Sequence, residues 1–208
     1  MKDRVLILSK THMNGQVCVG GILTKNGKYV RVLDKDGHNQ PEDTSLNVGQ
    51  IWEIDFSNKL ACTPPHVEDV LIQGSQLQGN LDAGIKLSEY LLKTLKVKVW
   101  RGAPDKLFDG LIKWTSSGSG YIDKSSIPSN SVGFWISDKE LSRHDYNGVR
   151  YNYHSMLGWR NIKFVGFQTP VQHISAGILM RVSLARWWRK DAQSEECCYL
   201  QLSGWYDN

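Results

Sequence analysis

The chain has 208 residues, 40% of them apolar, a formal net charge of +4 and four cysteines. That length accommodates one large domain or two small ones, and the apolar content excludes a disordered chain. No apolar run approaches the ~20 residues that span a bilayer, and the Met1–Arg4 start leads into a strand-length segment rather than a signal peptide, so a cytoplasmic protein with no membrane partner is expected.

Strand-like segments dominate the first half, at 4–9, 16–23, 28–33, 50–56 and 66–72. Tight-turn dipeptides such as Asn14-Gly15, Asn26-Gly27 and Asp36-Gly37 separate several of them. Gly20-Gly21 interrupts a strand as a bulge or barrel corner does. Apolar residues at 85, 87, 91, 92 and 95 predict a short amphipathic helix begun by Asp82 or Gly84, followed by a short strand at 96–100. The Ser/Gly-rich stretches 116–120 and 125–131 read as loops that mark a module boundary or a flexible binding segment. Strands resume at 132–137, 150–154, 161–167, 178–187 and 197–205. Two groups of short strands with one helix after the first predict a mostly β chain of two small barrels in series, residues 1–104 and 105–208.

The terminal segments 178–187 and 197–206 form a hairpin in this reading. Alternation puts Ile178, Met180, Val182 and Leu184 on one side and Arg181, Ser183, Trp187 and Arg189 on the other. On the return strand Cys198, Leu200 and Leu202 continue the apolar side, while Tyr199, Gln201, Ser203 and Trp205 join the arginines. Aromatic rings beside guanidinium groups stack unpaired bases and neutralise phosphates. The surrounding stretch supports this, since Arg143 to Lys190 carries eight Lys or Arg against the single acid Asp145. Tyr146, Tyr151, Tyr153, Trp159, Phe164, Trp187 and Trp188 are interleaved with those cations, the form of a basic stripe that carries stacking groups.

Catalytic templates are missing. The sequence has no phosphate-binding loop, no dinucleotide fingerprint, no HExxH and no nucleophile elbow, so no catalytic residue and no cofactor are expected. Cys18, Cys62, Cys197 and Cys198 lack CxxC spacing, which argues against a zinc site or a disulfide framework and for free thiols, with Cys18 and Cys198 shielded. The sharpest polar cluster, His66, Glu68 and Asp69, lacks the Pro-Cys-x-x-Cys that a zinc deaminase needs, and leaves a metal-dependent nuclease as the enzymatic alternative.

The strings LILSKT at 6–11, VCVGGI at 17–22, QIWEI at 50–54, PPHVED at 64–69, SLARWW at 183–188 and CYLQLSGWY at 198–206 together resemble a bacterial family, the dual OB-containing domain. The resemblance covers nearly the whole chain. It implies two OB-like β-barrels, and recognition of nucleic acid or a related signal in bacterial conflict and antiviral systems. OB barrels bind oligonucleotides on the face of their second and third strands, so Lys10, Tyr29, Arg31 and His66 are candidate contacts in the first barrel. The expected function is a non-enzymatic sensor or adaptor that binds single-stranded or unpaired nucleic acid through Arg181, Trp187, Arg189, Trp205, Tyr199, Lys10, Arg31 and His66. An effector protein is a further expected partner, and a protein-docking module is the alternative for the same aromatic face.

Overall fold

The computed structural model describes residues 1–156 and 158–206. They divide into two compact units, one of residues 1–63 and 67–97, the other of Pro64–His66 with the chain from Lys98 onward. Among the described residues no helix is long and apolar enough to cross a membrane.

The first unit is a closed barrel of β1 (Lys2–Met13), β2 (Gln16–Leu23), β3 (Tyr29–Leu33), β4 (Gln50–Asn58) and β5 (Asp69–Asn80), in the order β1-β2-β3-β5-β4. All pairs are antiparallel except β3 with β5. Apolar residues at alternate positions supply the core: Val17 and Val19 on β2, Val30 and Val32 on β3, Trp52, Ile54 and Phe56 on β4. The expected irregularity at Gly20-Gly21 is a bulge in the facing strand, where Ile7 pairs with Gly21 and Ser9 with Gly20, leaving Leu8 as the extra residue. A Cβ on Gly21 would lie 2.5 Å from Val5 Cγ2 and 2.8 Å from the Leu6 carbonyl oxygen, so the close approach of these strands requires glycine. The helix is a single α-turn, Leu87–Glu89, continued by a π-turn over Tyr90–Thr94.

The second unit contains β6 (Val99–Arg101), β7 (Lys113–Trp114), β8 (Gly120–Asp123), β9 (Val132–Ile136), β10 (Leu141–Asp145), β11 (Val149–Ser155), β12 (Gly158–Phe164), β13 (His173–Ile174), β14 (Leu179–Leu184) and β15 (Cys197–Tyr206). Its main sheet runs β13-β10-β11-β12-β15-β14-β9-β6, with β8 on β15 and β7 on β8. Only Ser137–Glu140 separates β9 from β10, so the ends of the run β10-β11-β12-β15-β14-β9 are joined by the chain itself. Treated as halves of one strand, β9 and β10 give the second unit the order of the first, again with its third and fifth strands parallel, here β12 and β15.

The terminal hairpin forms as β14 and β15, but with a shift of register. Arg181 pairs with Gly204 and Val182 with Leu202, which leaves Ser203 as a bulge. One extra residue reverses the alternation. Cys198, Leu200 and Leu202 face the core as expected, and Trp205 then faces the core as well, 4% exposed, with its ring 5.2 Å from Phe164 and 5.8 Å from Tyr151. Replacing Trp205 by Ala should therefore lower stability by about 3–5 kcal/mol through loss of packing, as read by urea denaturation.

The cysteines are free. Cys198 is fully buried and its thiol is pushed up to about 12 by that burial, so the reactive thiolate is scarce. Cys18, expected to be shielded, is only half-buried, as are Cys62 and Cys197. In native protein at neutral pH, Cys198 should resist a thiol reagent that labels it fully after denaturation, with mass spectrometry identifying the site.

Candidate nucleic-acid interface

The outer face expected to unite Arg181, Trp187, Arg189 and Trp205 does not form. Trp205 is in the core because of the bulge at Ser203. Arg181 does lie on the face opposite Met180 and Val182, yet it is 3% exposed and is not offered to solvent. Trp187 is half-buried, donating from Nε1 to the Pro64 carbonyl at 2.7 Å, with Lys124 Nζ 5.9 Å from its ring centroid. Arg189 is exposed and Tyr199 half-buried.

The candidates expected on the first barrel are already engaged, and one of them, His66, falls in the second unit. Arg31 pairs with Asp69, which receives its Nε–H at 2.5 Å, and the Arg31 side chain is 12% exposed. Lys10 donates to the Thr44 carbonyl and to Asn47 Oδ1, both at 3.2 Å. His66 is 1% exposed and bonds through Nε2 to the Leu184 carbonyl at 3.2 Å. Glu68 and Asp69, the other residues of the nuclease alternative, are 5% and 3% exposed, and Asp69 is held in the Arg31 ion pair.

An open cationic and aromatic face lies elsewhere, on β10, β11 and β12. Tyr151, Tyr153, Ile162 and Phe164 point into the core, so Arg150, Asn152 and His154 on β11, and Trp159, Asn161 and Lys163 on β12, point out. The register pairs Arg150 with Lys163, Asn152 with Asn161 and His154 with Trp159, and places His144 opposite Arg150. Trp159 is 63% exposed and meets the His154 ring edge-on at 5.7 Å. At the rim, the turn 146–148 presents Tyr146, stacked with His144 at 6.3 Å, on a backbone that Asn147 and Gly148 bend at positive φ.

Electrostatics separate this face from the rest of the molecule. Arg150 donates from Nη1 to Asn161 Oδ1 at 2.6 Å and from Nε to the Tyr146 carbonyl at 3.1 Å. Those acceptors are neutral, so they orient the guanidinium without cancelling its charge. Neither Arg150 nor Lys163 makes an ion pair among the described residues, and the one carboxylate of the three strands, Asp145, is held by Arg143 at 2.8 Å. Other cations of the basic stretch are spent: Arg160 pairs with Asp105 at 3.1 Å and lies 4.8 Å over the Trp114 ring. Sequence reasoning registered this stretch as a basic stripe but missed its residues. The signal was the alternation Arg-Tyr-Asn-Tyr-His at 150–154, in which two core tyrosines fix the outward positions.

Beside the β14–β15 connection is an open cleft of about 620 Å³ lined by Lys113, Lys124 and Arg189 and by Asp123, Glu195 and Glu196. Three cations face three carboxylates there, which suits it poorly to a free anion. Asp34, Asp36 and His38 also cluster, but Asp34 accepts the backbone N–H groups of Asp36 and His38, so the group is accounted for as a turn.

The strand order and the parallel third and fifth strands define two OB-type barrels. The chain belongs to the dual OB-containing domain family, whose profile matches residues 3–205. No curated protein matches it. Among solved structures, the Ifi202 HINa domain in complex with 20bp dsDNA is 9% identical with a TM-score of 0.35, over 98% of this chain and 96% of that one. The tetrameric p202 HIN2 domain is 11% identical with a TM-score of 0.29, over 97% and 91%. Likenesses at these scores carry no functional inference.

The Lys113 ammonium, 2.6 Å from Asp123, and the Ser125 hydroxyl hold the Asp123 carboxyl down from its ordinary 3.8 to about 2. A carboxyl depressed in the folded state adds stability above its unfolded value and loses it as pH falls toward the folded value. The melting temperature of wild type should therefore fall between pH 4 and pH 2 more steeply than that of Asp123→Asn, which lacks the titrating group.

Proposed function

We propose that the chain is a non-enzymatic module that binds single-stranded or unpaired nucleic acid on the outer face of β11 and β12. These are the second and third strands of an OB-type barrel, whose flanking loops are the 146–148 turn and the 185–196 connection. The observation that carries the reading is the pairing of two cations held free of carboxylates, Arg150 and Lys163, with an exposed tryptophan and two asparagine amides on the same face. Cations neutralise the phosphates, Trp159 stacks a base, and the Asn152 amide N–H reaches base edges, while Asn161 accepts from Arg150 and donates to Asn152 Oδ1 at 3.1 Å. Stacking needs a base whose face is not already covered, which favours unpaired strands over a duplex. On the ground of its family, the module serves as a sensor or adaptor in a bacterial defence system, a role that an effector gene recurring beside this one would support.

Titration of a fluorescent oligothymidylate at several salt concentrations tests the binding reading, with a duplex as competitor. The single strand should bind more tightly than the duplex. Trp159→Ala should cost about 1–3 kcal/mol. Arg150→Ala and Lys163→Ala should weaken binding across sequences and lower the salt slope by about 1 each. No binding by wild type at low salt, or three variants that bind as wild type does, would move the aromatic surface to the protein-docking reading.

A further inference from the structure

The outer face continues past β12. Lys163 is level with Gln201 in the parallel pairing with β15, and Tyr199, two residues earlier, is on the same side. Tyr199 stands directly opposite Tyr121 of β8, which stands opposite Lys113 of β7. The Tyr121 and Tyr199 ring centroids are 6.1 Å apart, and Trp188 adds a third ring 6.0 Å from Tyr199. Trp188 is anchored by its backbone, which exchanges hydrogen bonds with Cys197 at 2.8 and 3.0 Å, while the residue is 53% exposed. Strands β7 and β8 stand outside the order that makes the barrel, so Tyr121 is an addition to the OB face, set beside Tyr199 of β15 and Trp188 of the β14–β15 connection.

Chemistry along the row favours a polymer over a small anion. The carboxylates Asp123 and Glu196 are ion-paired with Lys113 and Lys124, both at 2.6 Å, which removes most of the local repulsion without leaving a strong anion pocket. Arg189 and Lys190, next to Trp188, are exposed and make no ion pair among the described residues. Rings in a row, with Arg189 beside the carboxylates of the cleft and Lys190 next to it at one end, match a strand already held by its phosphates elsewhere.

Resting on the proposed function, we infer that Tyr121, Tyr199 and Trp188 form a second stacking segment. It takes the bases of an unpaired strand after they leave Lys163, so the second unit binds a longer strand than its β11–β12 face alone holds. The experiment compares oligothymidylates of about four and about twelve nucleotides, within the range of sites on one OB barrel. Wild type should bind the longer one more tightly than extra binding registers alone require. Trp188→Ala should lower affinity for the longer strand by about 5- to 150-fold, the loss expected for one stacked base, and leave the shorter unchanged. Trp188→Phe should restore much of the loss, and Trp159→Ala should weaken both lengths. Equal affinity of Trp188→Ala and wild type for the longer strand would overturn the inference. So would the absence of a length effect in wild type, even with short-strand binding that depends on Trp159. Failure of both lengths to bind would instead remove the proposed function, and this inference with it.

Discussion

Each barrel depends on one short parallel pairing, because inserting the fifth strand between the third and fourth is what brings the ring together. In the first unit that step sets Arg31–Leu33 beside Asp69–Leu71, and in the second it sets Lys163 and Phe164 beside Gln201 and Leu202. The same geometric event therefore places a partner beside a cation of the third strand in both. In the first barrel the partner is a carboxylate, and Arg31 is neutralised where it stands. In the second it is an amide, and Lys163 keeps its charge. Two barrels of one topology thus differ in what their faces offer an anion, and this pair of positions is one source of the difference.

The Arg31–Asp69 pair also explains why a buried cation is weak evidence for a binding site. Taking both charges from water is costly, and their attraction offsets that cost only while the pair is intact. A phosphate that competed for Arg31 would leave Asp69 charged and buried. The neutral acceptors around Arg150 impose no such penalty, since a phosphate that approaches adds an interaction without stranding an opposite charge.

Strand content was legible wherever alternation has an apolar side, as in Gln16–Leu23, whose observed ends coincide with those predicted. It failed where a strand is polar on both sides. β5 runs on to Asn80 through Gln73-Gly-Ser-Gln-Leu-Gln-Gly, an exposed arm paired to β4, and that stretch carries no burial pattern to read. β8 and β10 were missed for related reasons, one following a Ser/Gly stretch and the other holding four polar or charged residues out of five. The misplacement of Trp205 has a different cause. Alternation propagates from any correctly placed residue, so one bulge moves every side chain beyond it to the other face, and the only local mark was Gly204.

The same asymmetry governs how a site is read from composition. The excess of cations between Arg143 and Lys190 was visible in the sequence, but an excess states only how much charge is present, not which charges remain uncompensated after folding. Folding assigns Arg143 to Asp145 and Arg160 to Asp105, the latter a residue 55 positions away that no local pattern connects to it. What survives on β11 and β12 is decided by partners that arrive through tertiary structure. Alternation can nominate outward positions, and only the set of neighbouring acceptors, neutral or charged, distinguishes a cation poised for phosphate from one that serves the fold.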